Sequence, residues 1–276
     1  MRILRIAATF LAFAAFSLVS VLLGAVVAPL LHLVIRRPRT RVLCLRRLVR
    51  RLFRLFLACL GFTGVLRSGI QDGDLIGGIR GAVVAVNHPT LLDYVLMISC
   101  MDEHTAVVYK SSLAGGFMGR IIRSLDYVSS DDLGDCGRHL EEGDSILIFP
   151  EGSRSRGREL KFTRGAAQVA VRHHVPVHVL CLRCDSPGYL GSGFFSLRLP
   201  DRTPRLELGH VCVLDPRSYG PRDDGDPARP GILARRLTAD MERVCIAALG
   251  DGPLDGGTEA RGTAGRDDEF NTAERR

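Results

Sequence analysis

Ala82-Val83-Val84-Ala85-Val86-Asn87-His88-Pro89-Thr90-Leu91-Leu92-Asp93 reads as a strand that delivers a histidine to the mouth of a helix. Ala82 to Val86 is wholly apolar and bounded by Gly81 and Asn87, the pattern of a strand buried on both faces. Pro89 suits the first helical position, where a missing amide hydrogen leaves nothing unsatisfied. Leu91, Leu92, Val95 and Leu96 then continue at helical spacing. His88 is therefore expected outside the carboxyl end of a strand, where open α/β sheets hold their ligands.

Four residues separate His88 from Asp93, a spacing that lets the carboxylate accept from one ring nitrogen and leave the other as a general base. The alternative is structural: Asp93 complements the helix dipole while His88 caps the turn. A second apolar strand, Ser145 to Phe149, runs into Pro150-Glu151-Gly152-Ser153-Arg154-Ser155-Arg156-Gly157. That loop suits an anion, because Arg grips phosphate oxygens with two parallel bonds and Gly152 lets backbone amides approach. An ordinary exposed basic loop is the competing reading.

Asn87 to Asp93 resembles the first signature block of the glycerolipid acyltransferases, the family of 1-acylglycerol-3-phosphate acyltransferases. Phe149-Pro150-Glu151-Gly152-Ser153-Arg154-Ser155 is similar to the third block, in the same order and separation. Val175-Pro176-Val177 resembles the fourth, and the similarity runs from Gly64 to Leu214. The resemblance implies acyl transfer from a thioester, carried by coenzyme A or an acyl carrier protein, to a hydroxyl of a lipid acceptor, with no cofactor. His88 would be the base and Asp93 its partner, with Asn87, Glu151, Gly152, Ser153 and Arg154 on the substrate. The family's second block usually ends in an acidic or amide residue and an Arg that helps hold glycerol phosphate, but Ser130 and Asp131 stand there. An acidic side chain repels a phosphate, so Arg120, Arg123 and Arg164 are the candidate replacements. The acceptor is left open between a lysophosphatidate-like lipid and a different one. No Gly-x-Ser-x-Gly elbow surrounds Ser153 or Ser155, which favours direct attack over an acyl-enzyme. A catalytically idle lipid-binding protein of the same fold is the contrasting reading, and the intact His88 and Asp93 speak against it.

The net charge of +7 on 276 residues is unevenly placed. Twelve of the 37 basic residues precede Asp72, with no acidic residue among them, which leaves 25 against 30 acidic residues beyond. Ile6 to Ile35 carries no charge; as a helix it would extend roughly 44 Å, beyond the ~30 Å hydrocarbon core. Either that helix spans and overshoots, or Pro29 divides it. A cleaved signal peptide competes, but the run is long for one and its small-residue site is followed by Pro29. The arginines from Arg36 to Arg54 crowd its far side, which places the catalytic domain in the cytosol, on the cytoplasmic membrane. Arg46, Arg47, Arg50, Arg51 and Arg54 alternate with apolar residues at helical spacing, like an interfacial helix on anionic headgroups. A nucleic-acid arm is disfavoured by Leu52, Phe53, Leu55, Phe56 and Leu57. The expected organisation is a membrane segment over 1–40, a basic amphipathic helix over 41–63, an acyltransferase domain over 64–249 and a disordered tail over 250–276.

Further strands are expected at Thr105 to Tyr109 (the second of the sheet), Tyr127-Val128, Val175 to Arg183 and Arg205 to Leu214. Helices are expected around Leu133 to Glu142, after Phe162, and over Ile232 to Leu249. This alternation predicts an α/β domain with a mainly parallel sheet flanked by helices. His174, His178, Cys181 and Cys184 raise a metal site, but strand alternation sends 181 away from 174 and 178, so no metal is expected. The other cysteines are scattered singly, as buried thiols of a reducing compartment.

Overall fold

A computed structural model describes residues 2–152, 160–186, 203–219 and 230–250. The expected disordered tail lies, beyond Gly250, outside the described residues. The chain opens with α1 (Arg2–Leu22), passes through a π-helical turn (Leu23–Val27) and continues as α2 (Ala28–Val34). Pro29 does not divide the segment, because the turn ahead of it is widened: Ala28 N–H donates to Leu23 O, five residues back. The break comes at Ile35–Arg37, where Arg37 is extended ahead of Pro38, and α3 (Pro38–Phe62) then folds back along the first two helices.

The stretch Thr9–Val34, 26 residues, is long and apolar enough to cross a membrane. One face of it is covered by protein. Phe13 meets Phe56 edge-on at 5.9 Å, Phe16 lies 4.8 Å from Phe56, and Phe53 stands edge-on to Tyr94 at 5.5 Å. Phe13, Leu23 and Ala28 belong to the same continuous apolar core as the central strands. The two N-terminal segments are thus packed onto the α/β body through a shared apolar core.

The basic face of α3, expected to lie on headgroups, makes several of its contacts to protein groups. Arg46 is buried and donates to Leu125 O, Asp126 O and Asp144 Oδ2, each at 2.9 Å. Arg47 bonds Glu103 through Nε at 3.0 Å, Arg54 Nε donates to Ser99 O at 2.7 Å, and Arg39 reaches Asp144 and Glu142. Arg51 is exposed, and Arg47 and Arg54 are exposed as well beyond the bonds they make. These arginines dock the helix on protein carboxylates and carbonyls because a guanidinium finds geometrically fixed acceptors there. Burial alone would raise Asp144, but hydrogen bonds from Arg39 and His139 and the charge of Arg46 hold its carboxyl far below the usual range.

After α3 come β1 (Arg67–Ile70) and α4 (Gly73–Gly78), neither signalled by an apolar period. They are followed by β2 (Val83–Val86), α5 (Asp93–Cys100), β3 (Thr105–Tyr109), α6 (Gly116–Ser124), β4 (Val128–Ser129), α7 (Cys136–Glu141) and β5 (Ser145–Ile148). The chain closes with α8 (Gly165–His173), β6 (Val177–Cys184), β7 (Arg205–Leu214) and α9 (Pro230–Gly250). Thr105–Tyr109 is therefore the third strand in chain order, not the second.

Among the described residues, seven strands lie in the order β1-β7-β6-β2-β5-β3-β4, parallel except where β7 runs against β6. The twofold period sorts their side chains cleanly. Val84, Val86, Leu147 and Leu180 share a core with α3 and α5, while Val83, Ala85, Ile146 and Val179 share one with α8 and α9. Each Val, Leu or Ile so buried contributes about 1.5–3 kcal/mol, which helps hold β2 at the centre. With β5 and β6 as its neighbours, the carboxyl ends of β2 and β5 open side by side.

The histidines and cysteines near β6 also resolve. His174 sits in a left-handed turn (φ 53°) that ends α8, off the strand, and His178 Nδ1 faces His210 Nε2 at 3.1 Å. Cys181 and Cys245 are adjacent rather than single, with sulfurs 3.5 Å apart, and Cys59 is exposed rather than buried.

Candidate active site

The connection from β2 to α5 is longer than the sequence suggested. Pro89 lies in a six-residue loop, and Asp93, not Pro89, is the first residue of the helix. The loop is pinned at its start by Asn87. Its amide nitrogen donates to Leu182 O at 2.8 Å and its oxygen accepts from Leu182 N–H at 2.6 Å, so the side chain extends the pairing with β6 past the end of the strand. Asn87 is buried and both ends of its amide are engaged. The amide expected on the substrate is thus bonded to β6 in this structure, at the root of the turn that carries His88.

His88 emerges next, with 22% of its side chain exposed, so a molecule arriving from outside can touch it. Nδ1 lies 2.7 Å from Asp93 Oδ2. An ionised carboxylate only accepts, so Nδ1 carries the proton and Nε2 is the nitrogen left with the ring's lone pair. Asp93 is fully buried. Burial raises its carboxyl, opposed by the bonds from His88 and from the backbone and hydroxyl of Thr90. Thr90 was missed in the sequence; the signal was its place three residues before Asp93, where amide and hydroxyl can both reach a helix-starting carboxylate.

The neighbouring strand supplies the second wall. Glu151 Oε1 accepts from the backbone N–H of His88 at 2.7 Å, and the Phe149 ring lies 4.6 Å from the imidazole. Gly152 adopts φ 64°, a left-handed turn that an L side chain strains to reach, and its N–H donates to Phe149 O at 3.1 Å. Thr163 closes the far end of the loop, donating to Pro150 O at 2.7 Å from both its amide and its hydroxyl. Arg164 follows, exposed, at the start of α8. Ser153 and Arg154 lie outside the described residues.

The structure brings together His88, Asp93, Glu151 and Gly152, residues from two stretches of the chain. Arg120 and Arg123 stand exposed on α6, where Arg123 donates to Ala114 O at 3.2 Å, and no described contact joins either to His88. Ser130 and Asp131 follow β4, exposed and 3.2 Å apart, Oγ to Oδ1. Chemically, a desolvated carboxylate, an imidazole whose tautomer it fixes and a turn with a left-handed glycine suit proton removal from a hydroxyl.

Residues 71–183, which contain all of these groups, match the family model described as Acyltransferase. Among curated proteins, 1-acyl-sn-glycerol-3-phosphate acyltransferase beta of Homo sapiens is 29% identical over 126 residues, covering 41% of this chain and 45% of that protein. The chain thus matches less than half the length of that relative. Among solved structures, the 1-acyl-sn-glycerophosphate (LPA) acyltransferase PlsC from Thermotoga maritima aligns with a TM-score of 0.62, over 91% of this chain and 98% of that one. At 19% identity that likeness shows a shared fold.

Proposed function

We propose that this chain, whose residues 71–183 form a domain of the acyltransferase family, moves a fatty acyl group from a thioester to a hydroxyl of a lysophosphatidate-like lipid. The observation that carries the reading is the His88–Asp93 pair at the carboxyl end of β2. As the acceptor oxygen bonds to the thioester carbonyl carbon, its proton passes to His88 Nε2. The imidazolium so formed is stabilised by Asp93, whose attraction is strong because the carboxylate is buried. Collapse of the tetrahedral intermediate breaks the carbon–sulfur bond, and the imidazolium returns the proton to the departing thiolate. No covalent enzyme intermediate is needed. Glu151, by holding the His88 amide, fixes the ring beside the turn at Pro150 to Gly152.

Asp131 supports a second reading, in which the acceptor carries no phosphate near β4. Its exposed carboxylate stands where the family pattern has an Arg.

The site works at a membrane surface. Leu11, Leu18, Leu30, Leu33 and Val34 on the first two helices are more than half exposed, as is Phe62 at the end of α3. An apolar patch of that extent is stable against lipid rather than water. In this reading the outer face of the helical hairpin enters the bilayer and the catalytic domain faces the cytosol.

The test is thiol release from an acyl thioester by the full chain, with and without lysophosphatidate, followed by lipid analysis of the product. Release is expected only with acceptor, and His88→Ala is expected to lower it ~10²- to 10⁴-fold without changing thermal melting. Transfer within twofold of wild type by a well-folded His88→Ala protein would falsify the assignment.

A further inference from the structure

A cavity of about 640 Å³ lies away from His88, between the C-terminal half of α3 and the edge strand β1. Arg54, Arg67 and Arg205 line it together with Leu57 and Ile70, and Glu207 is its acidic member. Glu207 lies 3.5 Å from Arg205, which leaves two positive charges in excess. Arg54 uses Nε on Ser99 O, and Arg67 and Arg205 are exposed, so guanidinium nitrogens are available to a guest. Two excess charges beside apolar walls, in a concavity sized for a small molecule, fit a phosphorylated compound with a flat apolar portion.

The sheet register places this cavity relative to the reaction. β1 pairs in parallel with β7, and β7 runs against β6, so Arg67 and Arg205 start their strands at the edge where β2 and β6 end. Arg67 is paired with Arg205, and Asn87 with Leu182 marks the level of the histidine. At the usual strand spacing, β7 and β1 lie ~10 Å and ~14 Å across the sheet from β2. An extended pantetheine arm bridges that span. We propose that this cavity binds the 3′-phosphorylated adenosine diphosphate end of a coenzyme A thioester while the thioester lies at His88. The proposal rests on the acyltransferase reading of His88 and names its donor. An acyl carrier protein presents a broad folded surface, which a small-molecule concavity fits poorly.

The experiment uses the full chain in detergent, titrated calorimetrically with coenzyme A and with 3′-dephospho-coenzyme A, alongside Arg67→Gln and Arg205→Gln. Each substitution is expected to weaken coenzyme A binding roughly tenfold, as loss of a charged hydrogen bond does. KM for the acyl-coenzyme A donor should rise by a similar factor with kcat unchanged, and transfer from acyl-pantetheine, which lacks the nucleotide, should not change. Should either variant melt early, Arg67→Lys, which keeps the charge and loses the fork, supplies the comparison. Unchanged coenzyme A affinity in folded variants overturns the proposal. So does an effect confined to acyl carrier protein donors or to binding of phosphatidylglycerol vesicles. Arginine-dependent coenzyme A binding by a wild-type protein that transfers no acyl group would uphold this site and sink the reading of His88 instead.

Discussion

At the scale of single residues, the pair most exposed to test is Asp93 with His88. Asp93→Asn keeps a hydrogen-bonding group but removes the charge that stabilises the imidazolium, and an amide can turn its NH₂ to Nδ1 and invert the tautomer. The expected outcome is a fall in kcat of at least ~10²-fold with little change in KM for either substrate, in steady-state assays of the full chain. A change in KM alone would assign Asp93 to binding. Asn87 has a different signature. Asn87→Ala leaves the buried N–H and C=O of Leu182 without partners, at about 1–3 kcal/mol for each unsatisfied group. Chemical denaturation should show that loss directly, and the turn carrying His88 should loosen with it. Wild-type stability in Asn87→Ala would mean that water replaces the amide.

Elements are held by cross-strand partners, and the β6–β7 pair carries one that titrates. His178 is pushed down to about 4, by burial first and then by the neighbouring His210, itself lowered by burial. Both rings are therefore neutral in the folded protein at neutral pH, whereas in the unfolded chain each takes a proton near its ordinary value. Because the unfolded state binds more protons over that interval, stability is full above pH 6.5 and is lost as pH falls toward 4. Replacing His178 with Gln should flatten the melting temperature between pH 6.5 and 4 while leaving acyl transfer at neutral pH unaltered. An unchanged slope would place the titration elsewhere.

Over the whole molecule, the N-terminal helices and the α/β body are joined through Asp144, at the start of β5. Arg46 and Asp144 stand 98 residues apart in sequence and 2.9 Å apart in space, both buried. Removing one member of a buried pair costs about 3–5 kcal/mol, because the other charge stays desolvated and unpaired. Asp144→Asn should therefore melt well below wild type at pH 7 and shed α3 first, seen as early hydrogen exchange in residues 38–62. The pH sign is that of a depressed carboxyl. The stabilisation is present above the ordinary aspartate range near pH 4 and disappears as pH falls below it, so the gap between wild type and Asp144→Asn should narrow in acid. By contrast, Arg51→Gln, on the exposed side of α3, should leave melting unchanged.

What the sequence determined by itself follows from local periodicity. A run such as Ala82 to Val86 cannot leave either face in water, so it fixed a central strand, and with it a parallel sheet under helices. His88 and Asp93 were legible for the same reason, since a spacing of five residues at a strand-to-helix turn limits how far apart two side chains can be. Charge has no such local rule. The arginines of α3 are placed by helical period on one side of the helix, but whether that side meets headgroups or carboxylates depends on Asp144 and Glu103, far along the chain and delivered only by the fold. The pairing of the Asn87 amide with Leu182 is legible only once β6 lies beside β2. The strand Arg67–Ile70 has no apolar alternation, being exposed at all four residues, and exists because β7 offers it a free edge. Partners of polar groups are long-range facts: a hydrogen bond or ion pair is directional and short, so only the tertiary arrangement decides which of many possible ones is made.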